Sequence, residues 1–158
     1  MSRRNSDRVR RLAAAMPLAV LACAGAARAQ SVARTAQEFG LTGTWAIDCG
    51  KPASRDNIQV TYAAEGNELI LARDGGGDAR DSLLIRSARL LAPDLIETVQ
   101  RNRDMPLKDA AATEMTVVLR KTGGKIRIWK TTAAGMTLVD EGKVVGTGTT
   151  GLAMAKCK

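Results

Sequence analysis

The residues able to do chemistry in this chain are few. Its 158 residues include no His, three Cys, two Trp, one Tyr and one Phe. Without an imidazole, the common nucleophile–base pairs cannot be assembled, and a zinc site would have only thiols and carboxylates to draw on. A Ser-Lys or paired-carboxylate hydrolase is left with no motif to place either arrangement. Hydrolytic enzyme is therefore the weakest reading, and no catalytic, metal or cofactor-binding residue is assigned. The stretch Asp74 to Asp81, with Asp78 between and three consecutive glycines at 75–77, offers hard oxygens to calcium. It lacks the alternating acids and distal Glu of an EF-hand loop, and reads as a solvated hairpin loop.

The cysteines take their meaning from the N-terminus. Arg3, Arg4, Arg8, Arg10 and Arg11 precede an apolar segment from Leu12 to about Ala27, and Ala27-Arg28-Ala29 stands before Gln30. This is the plan of a secretory signal peptide, cleaved after residue 29. The apolar segment is rich in Ala and interrupted by Pro17, too short for a membrane span of roughly 20 residues. Two variants stay open. Val20-Leu21-Ala22-Cys23 resembles a lipobox that would leave a lipid anchor on Cys23, and Ser2-Arg3-Arg4 resembles the start of a twin-arginine signal. Either way the expected location is the periplasm or the exterior.

Loss of residues 1–29 removes six Arg and one Asp. Of the 24 basic and 16 acidic residues, 18 and 15 remain, and the net charge falls from +8 to about +3. The basic residues that remain alternate with acids, and aromatics make up only 3% of the chain. Neither a phosphate-tracking stripe nor stacking platforms for bases are present, which argues against nucleic acid as partner. Residues 30–158 suit one domain with one core. Only Cys49 and Cys157 remain in it, and in an oxidising compartment they are expected to form one disulfide, the alternative being two free thiols.

The elements that must position these residues read as strands. Ser31 to Phe39 is mildly amphipathic and ends at Gly40, predicting a short helix. Thr42 to Cys49 alternates, with Trp45, Ile47 and Cys49 on one face. Hairpins follow around Glu65-Gly66-Asn67, Ala92-Pro93-Asp94 and Thr122-Gly123-Gly124. Leu83-Leu84-Ile85 with Leu90-Leu91 predicts a strand covered on both faces. Arg101 to Ala112 is an irregular connection. A ribbon over 136–139 and 143–145 leads to a Gly/Thr-rich tail ending at Cys157. About eight short strands joined by tight turns pair antiparallel, and closure removes their edges. The expected fold is a single all-β, up-and-down antiparallel barrel with a short N-terminal helix. Trp45 would plug one end, and the disulfide would tie the tail across the seam.

Gly43-Thr44-Trp45 resembles the G-x-W motif on the first strand of calycin barrels, the lipocalins and avidins, and Leu41 to Trp45 is similar to the avidin form. The resemblance implies a Trp at the closed end covered by an Arg from a late strand, here Arg127 or Arg120. The aromatic lining of a biotin site is missing, with Trp129 and Tyr62 the only later candidates, so biotin does not carry over. The same triplet resembles the first strand of small periplasmic inhibitors of metalloproteases, whose inhibitory segment would correspond to residues 30–39. Trp129 beside Arg127, opposite Ile126 and Ile128, is a possible partner contact. The leading expectation is an exported binding or interaction module whose partner is an unknown small molecule or envelope protein. A protease inhibitor of the same architecture is the alternative. Intact-mass analysis of chain recovered from the periplasm of an expressing bacterium should give an N-terminus at Gln30; a mass carrying an acylated Cys23 would select the lipoprotein variant instead.

Overall fold

A computed structural model of the chain describes residues 32–66, 68–103 and 114–157. The segment expected to be a cleaved signal peptide, with Cys23, and most of the irregular connection after Arg101 lie outside the described residues.

Residues 32–39 form helix α1. Val32, Ala36 and Phe39 recur at helical spacing and are all buried, while Arg34 and Glu38 pair on the exposed side at 2.9 Å, as expected for an amphipathic surface helix. Gly40, at φ +79°, ends it. Its N–H donates to the Gln37 carbonyl and the Leu41 N–H to the Ala36 carbonyl, both at 2.8 Å, the paired bonds of a left-handed glycine cap with an apolar residue following. Leu41 is buried in the same core as Phe39. The last carbonyls of the helix meet two lysines: Lys121 Nζ donates to Phe39 O at 2.6 Å and Lys156 Nζ to Gly40 O at 3.0 Å. Cations at a helix C-terminus satisfy its orphan acceptors and its dipole together.

Ten strands follow in one antiparallel sheet. They are β1 (Gly43–Ala46), β2 (Gln59–Glu65), β3 (Glu68–Asp74), β4 (Arg80–Ala92), β5 (Leu95–Asn102), β6 (Met115–Thr122), β7 (Lys125–Ala133), β8 (Met136–Asp140), β9 (Lys143–Val144) and β10 (Ala153–Lys156). β1 to β7 pair in sequence order, and β10 pairs with both β1 and β7, closing a ring of eight. The ring needs a split in β7. Its first residues, Lys125 to Arg127, pair with β10, whereas Thr131 to Ala133 pair with β8. The β8–β9 ribbon thus leaves the ring, and the Gly/Thr-rich tail, read from sequence only as a tie, supplies the closing strand.

The interior is packed from every strand of the ring. Trp45, Val60, Tyr62, Leu69, Leu71, Leu83, Ile85, Ile96, Val117, Leu119 and Ile126 form one cluster with the helix residues, and Met154 packs against it. Thr98 and Gln100 are also buried and satisfy each other. Gln100 Nε2 donates to Thr98 Oγ1 at 2.8 Å, and that hydroxyl donates to the Val117 carbonyl at 3.2 Å, which removes most of the penalty of burying them. Trp45 is buried in the same cluster as Phe39 and Leu41 at the helix end. Leu83, Leu84 and Ile85 are all buried, matching the doubly covered reading. Leu90 and Leu91 are not: at 42% and 45% exposure they stand near the end of a strand longer than its neighbours, past a register shift between Ile85 and Ser87.

Cys49 lies three residues past the end of β1 and is bonded to Cys157, with Cα atoms 5.4 Å apart and a sequence separation of 108. In the chain-entropy account, closing a loop on the order of 100 residues stabilises by roughly 4 to 5 kcal/mol. Equilibrium urea unfolding with and without reductant should therefore show a loss of about 4 kcal/mol; a change below about 1 kcal/mol would mean that the strands close the ring unaided.

Candidate functional site

Two surfaces of the barrel gather side chains with chemical potential. The first is the rim opposite α1, where β3 runs into β4, and where β5 ends and β6 begins on either side of residues 104–113. Strand direction thus puts the loop at 74–81 and the ends of the irregular connection at one end of the barrel. The acids of this loop are engaged from within. Asp74 accepts from the Gly76 N–H at 2.8 Å and from Arg80 Nε at 3.1 Å, and the first of these bonds holds its pKa below the usual carboxylate value. Asp81 receives both donors of an Arg73 fork, with Nε to Oδ1 at 2.7 Å, which lowers its pKa in turn. Gly76, at φ +80°, passes so close to the next loop that a Cβ would stand 2.6 Å from Ala53 O. Among the described residues no group of three or more His, Cys, Asp or Glu side chains could hold a metal ion. The shallow depression here, about 380 Å³, is lined by Arg55, Arg73 and Arg80 with Asp78 and Asp81, and two of the three arginines are neutralised, Arg73 by Asp81 and Arg80 by Asp74.

The second surface lies on the outer wall over β6, β7 and β10. It is a groove of about 400 Å³ lined by Arg120, Thr122, Lys125, Arg127, Trp129 and Ala153. The β6–β7 turn builds it. With Gly123 and Gly124 as its two central residues, Thr122 falls opposite Lys125 and Arg120 opposite Arg127. Ala153 and Ala155 of β10 stand opposite Arg127 and Lys125 on the other side, and their short side chains leave the floor low. Trp129, two residues on from Arg127, shares the outer face of Arg127 and Arg120 by alternation, and the register shift between Val118 and Leu119 just beyond it sets Lys130 opposite Val118. The Arg120 guanidinium lies over the indole, 4.1 Å from its centroid, while Nε donates to Asp94 Oδ2 at 3.1 Å. Gly142, at φ +77°, presses on the far side; a Cβ there would meet Arg127 Cδ at 3.4 Å and Trp129 Cε3 at 3.5 Å, and its N–H donates to the Trp129 carbonyl at 2.8 Å. Trp129 is thereby held half-buried, with one face covered by a cation and its backbone clamped by the β8–β9 turn.

The residues singled out in the sequence fall into three places. Cys49 and Cys157 form the disulfide. Trp45 is buried, and its Nε1 donates to the Leu41 carbonyl at 2.7 Å. Its cover corrects the expectation of Arg127 or Arg120: Lys156, the register partner of Trp45 on β10, stands over the Trp45 ring at 5.6 Å, while Arg120 and Arg127 line the outer groove. Arg127 and Trp129 do come together, and they are joined by Arg120 and Lys125, whose part sequence reasoning missed. A usable signal existed. Counting back from Gly123-Gly124 puts Arg120 opposite Arg127, whereas the register shift between Val118 and Leu119 leaves no mark in the sequence. No family model, curated protein or solved structure matches the chain. The fold alone is therefore what defines its class, a closed eight-stranded antiparallel barrel compatible with the calycin architecture.

Arg120→Ala should leave the barrel folded at a cost of about 1 kcal/mol, the size of a half-exposed cation–π contact. Tryptophan emission should shift to the red and become more open to acrylamide quenching, since Trp129 is uncovered while Trp45 stays buried. An unchanged spectrum would show that Arg120 does not cover the ring in solution.

Proposed function

We propose that this protein is an exported, periplasmic binding module of calycin-like architecture that works by surface recognition on its outer wall. The observation that carries the reading is Trp129, a large aromatic held half-exposed and rigid between Arg120 and Gly142. A side chain immobilised before a partner arrives has little rotamer freedom left to lose on binding, and Trp and Arg are the residues that anchor protein interfaces. The apolar cluster inside the ring supports the same reading, since side chains from all of its strands occupy the space a carried ligand would need. The leader, with its basic head and Ala27-Arg28-Ala29, supports export.

The inhibitor alternative has less behind it. The segment it would deploy is folded as α1, with Val32, Ala36 and Phe39 packed into the barrel core and Phe39 held by Lys121. Native mass spectrometry of the protein recovered from the periplasm tests the proposal. A bare chain is expected under native conditions. A reproducible adduct of small-molecule size, lost on denaturation, would replace surface recognition with ligand carriage.

A further inference from the structure

The cations of the wall groove are placed as like charges rather than as pairs. Arg120 and Arg127 stand directly opposite each other across β6 and β7, an arrangement that costs stability in a sheet. Lys125 follows two residues before Arg127 on the same outer face. Of the nearby acids, Asp94 is taken by Arg120 at 3.1 Å and Asp140 by Lys130 at 3.6 Å, while Glu141, next to Gly142, pairs with neither Lys125 nor Arg127. Among the described residues Lys125 and Arg127 have no ion-pair partner. The groove thus presents two unneutralised cations over a low alanine floor, beside an indole already fixed in place.

Their spacing narrows what would fit. Residues two apart on a strand recur at about 7 Å on one face, and the same interval separates alternate side chains of any extended chain. A segment with acids at alternate positions would therefore set one carboxylate on Lys125 and the next on Arg127, with an apolar residue two positions further along, on the same face, against Trp129. A single small anion would use one cation and leave the other bare. Building on surface recognition at this wall, we infer that the groove takes an extended acidic peptide segment of a partner protein, acids alternating and flanked by an aromatic or aliphatic residue.

The test uses the mature, disulfide-bonded chain, titrated by calorimetry and by Trp129 emission with the synthetic peptide Ac-Phe-Ala-Glu-Ala-Glu-Ala-Glu-amide, whose Phe and Glu side chains share one face when extended. Binding should saturate, weaken as salt rises because the charges are solvent-facing, and fall by about tenfold on Lys125→Glu or Arg127→Glu, as loss and reversal of an exposed ion pair implies. Both positions are on the surface, and Lys125→Ala with Arg127→Ala provides a milder pair should a reversal disturb folding. A peptide of the same composition with its three Glu adjacent should bind more weakly. No binding by either peptide, or equal binding by both, overturns the inference. So does phenyl phosphate binding as tightly as the alternating peptide, which would make the groove an anion site; surface recognition on the wall would survive that result. The wider reading falls only if native mass spectra show a carried small molecule.

Discussion

Closure of the ring rests on β10, four residues long, which must pair with strands on both sides at once. Its ladder to β1 spans only two residue pairs, extended by the Cys157 N–H donating to the Thr44 carbonyl at 2.7 Å. Its ladder to β7 spans three. So short a strand would fray if it were held by backbone hydrogen bonds alone. Three side-chain contacts fix it: Cys157 is bonded to Cys49, Lys156 reaches over Trp45 to the Gly40 carbonyl, and Met154 packs into the core. The Trp plug, the helix cap and the disulfide therefore act on a single strand, and much of the buried interior depends on it staying in place.

The wall groove is a by-product of that closure. Because β10 is short and ends in small residues, β7 is bordered by alanines along its first half and by the β8–β9 ribbon along its second. The change of neighbour occurs around Trp129, where Gly142 of the ribbon meets the indole. The low floor beside Arg127 and the clamp on Trp129 thus have one cause. At the opposite rim most of the arginine charge is met: Arg73 pairs with Asp81 and Arg80 with Asp74. The difference between the two surfaces lies in the carboxylates, which are present between the arginines at the rim and absent between them on the wall.

The lysines at the capped end serve a structural purpose that resembles, in kind, the cation of calycin barrels. Lys121 and Lys156 each donate to a carbonyl at the end of α1 and lie over an aromatic ring, Phe39 at 4.7 Å and Trp45 at 5.6 Å. Each lysine thus makes two contacts from one ammonium group. Lys can do this because its charge is compact on a flexible stem, where the planar guanidinium of Arg prefers to stack or to pair in a fork, as Arg120 does on Trp129 and Arg73 does with Asp81.

The sequence by itself determined the all-β class, the helix with its glycine stop, the hairpins at their Gly-rich turns and the pairing of Cys49 with Cys157, because period, turn chemistry and cysteine number are local or countable properties. It also contained the opposition of Arg120 and Arg127, since the two-residue turn at Gly123-Gly124 fixes register over the next few residues. Tertiary structure alone decided which strand closes the ring, and so which cation covers Trp45. The segment from Ala153 to Lys156 is too short and too rich in Ala to announce itself as a strand, and only the two neighbours waiting for it on either side make it one. The setting of Trp129 was decided in the same way: alternation places it beside Arg127, but only the folded sheet brings Arg120 over its ring and Gly142 of the β8–β9 turn against it.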